Sequence, residues 1–240
     1  MEASAASMPL RPRRRTAGIS PWAAQLRWFA VGAVAAFFIP FVFSSVLELQ
    51  HDLYLGVYFA FVIGFVGAYV RGNEVDVGVV VKRNWRWSVL LGVVVGVALV
   101  RNVFSETETA RPNGIYFAFE VVWRGLAYGA IDALLLTVFP CLVVYQALRA
   151  SLGSWRKRIG YFVASLALVM AITASYHFGY DHYRESGVRA PETGNVLISM
   201  PMLLTANPIA SVADHAAMHV AAVIHEYEDD TRLPPQTDAD

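Results

Sequence analysis

Two ionisable residues, Glu120 and Arg124, stand four apart inside an apolar run that extends from Ile115 to Leu148. On a helix that spacing puts them on one face about a turn apart, where they pair directly. The face continues at steps of four through Tyr128 to Asp132. In hydrocarbon each charge costs roughly 2.5–3.5 kcal/mol at the helix centre, so the stripe is either a structural bridge or a site facing the bundle interior. Histidines favour the site. Four of the six fall in two clusters: His177 and His182 in Tyr176-His177-Phe178-Gly179-Tyr180-Asp181-His182, and His215 and His219 four apart in Asp214-His215-Ala216-Ala217-Met218-His219. A carboxylate beside an arginine and several neutral imidazoles suits activation of water and stabilisation of an oxyanion. His215 and His219 also have the one-turn spacing of zinc ligands. Position 216 is alanine, so the metalloprotease pattern His-Glu-x-x-His is absent. No cofactor is implied with certainty; a divalent metal such as zinc at His215 and His219 stays open.

The elements that position these residues are membrane spans. Of the 240 residues, 56% are hydrophobic and only 16% charged, with a mean hydropathy of +0.45. A soluble domain carries about 25% charge, and apolar runs of about twenty residues mark spans. The composition reads as an all-α, polytopic transmembrane bundle in contact with membrane lipid. A net charge of zero gives nucleic acid no electrostatic footprint. A single cysteine, Cys141, excludes an internal disulfide and a metal–thiolate cluster.

Residues 1–27 read as a disordered basic cytoplasmic arm, residues 28–225 as the transmembrane domain, and residues 226–240 as a disordered acidic tail. Apolar runs predict spans over 28–47, 53–70, 87–104, the central 115–148, 159–180 and 196–224. Trp28–Leu47 is long for a signal-peptide core and reads as a retained span. Arginine and lysine concentrate in the leader and in the loops after the second and fourth spans. The positive-inside rule then gives about six spans in the cell membrane with both termini cytoplasmic. Two spans are irregular. The central run is about 50 Å of helix against a hydrocarbon core of about 30 Å, and Pro140 offers it a kink. The last run is broken at Asn207-Pro208, and proline suits the first turn of a new helix. Broken backbone at membrane depth belongs inside protein or along a watery cavity.

These residues resemble the motifs of the CPBP family, the CAAX protease and bacteriocin-processing membrane proteins. Phe119-Glu120-Val121-Val122-Trp123-Arg124-Gly125 is similar to its Glu-Glu-x-x-x-Arg motif, and Phe178-Gly179-Tyr180-Asp181-His182 to its Phe-x-x-x-His motif. His215 and His219 partly match its histidine followed four residues later by Asn or Asp. The likeness covers residues 115–225. It implies an intramembrane endopeptidase, a hydrolase acting on a membrane-bound peptide or protein. Glu120 would be the base, Arg124 the positioning charge, and His215, His219 and either His177 or His182 the partners. The sequence departs from the family at Phe119, where the leading glutamate belongs, and at His219. A catalytically inactive binding or protective module and a proton- or metal-linked carrier are the other readings.

Overall fold

The computed structural model describes residues 20–228 and Leu233, and among them it is an all-helical bundle without strands. The stretch 1–19 of the expected basic arm, and all of the expected acidic tail except 226–228 and Leu233, lie outside the described residues. Helices α1 (Pro21–Val46), α2 (His51–Gly72), α4 (Trp85–Val103), α5 (Gly114–Ala147) and α6 (Trp155–Phe178) are long and apolar enough to cross a membrane. Between them lies a short α3 (Val77–Lys82). After them come a short α7 (Asp181–Ser186), then α8 (Arg189–Thr205) and α9 (Ile209–His225). Helix α1 starts seven residues before the apolar run does. Ser20 accepts from the Ala23 N–H and Pro21 holds the first helical position, so local chemistry sets the start ahead of hydropathy.

Helix α5 is the axis of the bundle. Its apolar window is 78% buried, against 22–39% for the other four long helices, so protein shields most of its excess length. Pro140, the place expected to kink or redirect the run, does not end the helix. The helix runs through Pro140 to Ala147, with a wide π-type turn at Leu134–Val138 just before it. That turn hands the Phe139 N–H to the Leu134 carbonyl and makes room for a ring that would clash in a regular α-helix. A second π-type turn, Val121–Ala127, follows Glu120. It resets the helical register, so the stripe from Glu120 to Asp132 divides into two groups.

Helix α9 is gripped from two sides by glycines. Gly92 and Gly96 of α4 abut Ala210 and Asp214; a Cβ at Gly96 would lie 2.8 Å from Asp214 Oδ1. Gly125 and Gly129 of α5 abut Val220 and Ala216; a Cβ at Gly129 would lie 2.7 Å from the Ala216 Cα. Both glycine pairs have the four-residue spacing that lets membrane helices touch backbone to backbone. His215 and His219 are thereby fixed on a helix with little freedom to shift.

The last span is broken where the sequence indicates, but the break is a turn. Ala206 takes a left-handed φ of 54°, and Asn207 donates to the carbonyls of Val81 (2.7 Å) and Arg83 (2.6 Å). Asn84 donates to Thr205 O at 3.0 Å, tying the turn to the start of α4. At the far end, His225 meets Glu106 O (3.0 Å) and its carbonyl accepts from Thr109. Helix α9 therefore runs parallel to α4, and α8 antiparallel to both. Gln25 binds Asn73 at 2.7 Å, which places the start of α1 beside the end of α2. Ser20 and Glu228 accordingly lie at opposite ends of the bundle. The arginine alternation led us to expect one end for both termini; it treats 196–224 as one crossing, whereas α8 and α9 each traverse the bundle.

Candidate functional site

The two groups along α5 differ in what surrounds them. Glu120 and Arg124 are both buried and pair at 3.4 Å. Tyr227, just beyond α9, donates to Glu120 Oε2 at 3.2 Å while its ring lies 4.6 Å under the Arg124 guanidinium. Burial pushes the Tyr227 phenol above its ordinary pKa, which keeps the proton available for Glu120. Phe119, next to Glu120, is 45% exposed and stacks on Trp123.

About three turns beyond Glu120, Asp132 lines a cavity of about 1000 Å³. Its Oδ1 accepts a short hydrogen bond from the Tyr58 hydroxyl, and its Oδ2 lies 3.3 Å from His215 Nε2. His215 and His219 stack with centroids 4.9 Å apart, and Tyr128 closes edge-on over His219 at 4.7 Å. One donor atom each from Asp132, His215 and His219 lies within 4.8 Å of the other two, with all three side chains buried. His177 lines the same cavity. Its Nδ1 donates to Thr173 O at 2.8 Å, which leaves Nε2 with a free lone pair.

A chain of buried phenols borders this group. Tyr54 and Tyr180 hydroxyls meet at 2.5 Å, Tyr180 and Tyr176 at 2.6 Å, and Tyr176 and Tyr128 at 3.1 Å. Tyr180 sits past the end of α6, where burial holds its phenol well above the ordinary pKa and hence protonated. On another wall Asn195 donates to Thr173 Oγ1 at 2.6 Å and joins Thr137 and Ser199 in a buried polar cluster.

The remaining wall is apolar. Val94, Ala98 and Leu99 of α4 face Leu197 and Ile198 of α8. These helices join at Asn84–Thr205 and line the cavity with their opposite halves, out to Asn102 and Arg189. Val94 and Leu197 line the cavity and are also exposed on the flank of the bundle, so the cavity opens sideways between α4 and α8.

Of the residues singled out in the sequence, the structure brings His177, His215 and His219 to one cavity and leaves His182 exposed at its rim. Glu120 and Arg124 pair as expected, yet neither is among the residues that line it. Asp132 and Tyr128 lie on the polar stripe of the sequence but are not among its candidate site residues, and neither are Tyr54, Tyr58, Tyr176 and Tyr180. Their signal was present: Tyr54 and Tyr58, like Tyr176 and Tyr180, stand four apart in apolar helices. In comparisons with known proteins, no family model, no curated protein and no solved structure matches the chain.

Proposed function

We propose that this chain is an intramembrane peptidase of the CPBP kind, with Asp132 in place of Glu120 as the working carboxylate. One observation carries the reading: Asp132, His215 and His219 form a buried polar group on the wall of a large cavity open to the apolar flank of the bundle. An extended, membrane-embedded segment enters between α4 and α8. Asp132, oriented by Tyr58 and His215, takes a proton from water as the water oxygen attacks the scissile carbonyl carbon. The phenols bordering the cavity, Tyr128 and Tyr176, donate to the oxyanion. Collapse breaks the C–N bond, and the proton held by Asp132 passes to the leaving amine. Glu120 and Arg124 act as a positioning pair that fixes the wide turn of α5. The basic end of the bundle, carrying Arg83, Arg86, Arg149 and Arg158, faces the cytoplasm.

The test is a survey of new peptide N-termini in membranes of cells producing the wild-type chain or Asp132→Asn. Cleavage products present with the first and missing with the second support the reading. Identical sets of termini, with both proteins present in equal amounts, overturn it in favour of a binding module. Topology is checked separately by a reporter fused after Glu228, which should read as external; a cytoplasmic signal reverses the assignment of the two ends.

A further inference from the structure

We infer that Asp132, His215 and His219 form a binding site for a divalent transition-metal ion, zinc by ligand type, with its open coordination position facing the cavity. The inference deepens the peptidase reading, and rests on it for the purpose of the ion, but metal binding has its own readout.

Charge comes first. Asp132 is buried deep in an apolar bundle, and among the described residues its polar neighbours are a phenol and two imidazoles, with no guanidinium or ammonium. Glu120, by contrast, has Arg124. A carboxylate removed from water needs a positive partner, and a cation held between Asp132 and two histidines supplies it. Geometry agrees. Two ligands of a tetrahedral ion bound at about 2.0–2.1 Å stand roughly 3.3–3.4 Å apart, and Asp132 Oδ2 and His215 Nε2 are 3.3 Å apart. His219 lies one turn along the same helix face, with its ring stacked on His215.

The surroundings are those of a ligand set held in place. Tyr58 donates to the second carboxylate oxygen of Asp132, the kind of outer contact that orients a metal-binding carboxylate. The glycine contacts of α9 on α4 and α5 fix the two histidines. Two imidazoles and one carboxylate leave the fourth tetrahedral position for water, on the cavity side. An ion there lowers the pKa of its water and turns Asp132 from base into ligand. His177, with its free Nε2 on the same cavity, is then the group placed to accept the proton.

The full chain, purified in detergent and stripped with a chelator, should take up one zinc per chain when dialysed against zinc chloride. Cobalt(II) should give the intense visible absorption of a tetrahedral site. His219→Ala, His215→Gln and Asp132→Asn should lose the ion, and Tyr58→Phe should weaken binding about 10–100-fold. His182→Ala should bind as the wild type does. Gel filtration and thermal melts establish that each variant is folded. A folded wild type that takes up neither ion overturns the inference, and so does zinc retained at full stoichiometry by folded His215→Gln and His219→Ala. Peptide cleavage by a verified metal-free protein overturns the catalytic purpose of the ion and leaves the peptidase. Stoichiometric binding without cleavage leaves the metal site and removes the peptidase.

Discussion

Glu120 and Asp132 are both buried carboxylates on α5, one on either side of a wide π-type turn, and they are kept in opposite ways. Glu120 is neutralised by its own helix through Arg124 and covered by Tyr227 from the chain that follows α9. Its partners here are protein groups, and it is not among the residues that line the cavity. Asp132 has a phenol and imidazoles around it, with no arginine or lysine partner among the described residues, and a large cavity in front. The first arrangement holds a helix in shape; the second leaves room and charge for chemistry. A four-residue spacing therefore locates the Glu120–Arg124 pair on its helix without saying which of the helix's carboxylates faces the cavity.

Four measurements would break or sharpen that contrast. Asp132→Asn keeps size and hydrogen bonding but removes the base or metal ligand. Cleavage of any identified peptide should fall about 10²–10⁴-fold, with little loss of folded protein. Glu120→Gln leaves Arg124 buried without its anion and should cost folded protein, while cleavage per folded molecule should stay close to wild type. An equal loss per folded molecule would make Glu120 the working group.

Arg124→Gln should show the pattern opposite to that of Asp132→Asn. It leaves Glu120 buried without its cation, a change that costs about 3–5 kcal/mol. Denaturant-induced unfolding in mixed micelles should reveal it, and the double variant Glu120→Gln/Arg124→Gln should recover most of the loss. Absence of recovery would show that the pair contributes through something other than mutual neutralisation.

Gly129→Val places a branched side chain where Ala216 Cα and the His215 carbonyl already stand. Overpacking of this kind costs about 1–3 kcal/mol, and it should displace His215. A combined loss of melting temperature and cleavage is expected, whereas Gly56→Val, with open space around its Cβ position, should change neither. Tyr227→Phe is the mildest change. It removes one hydrogen bond to Glu120 and keeps the ring under Arg124, so about 0.5–1.5 kcal/mol of stability should go while cleavage persists.

Hydropathy determined much of this protein directly. An apolar run of about twenty residues has no other stable solution in lipid than a helix. The four apolar runs that became α1, α2, α4 and α6, together with the long central helix, were therefore legible from composition. So were the turn at Asn207-Pro208, because proline ends one helix and starts the next, and the Glu120–Arg124 pair, because a four-residue spacing is local. The histidine pair on α9 was legible for the same reason.

What only the tertiary structure decided depends on contacts between distant segments. Hydropathy does not say whether 196–224 is one bent crossing or a hairpin. Asn207 settles that by binding carbonyls of Val81 and Arg83, more than a hundred residues away. Nor does helical spacing foresee a π-type turn, which shifts Asp132 off the line of Glu120. Tyr58 and His215 reach Asp132 from α2 and α9, with seventy-four residues separating Tyr58 from Asp132. Local spacing fixed which residues share a helix face. Which faces meet, and which carboxylate is left in front of the cavity, was fixed by glycine-mediated packing between helices far apart in the chain.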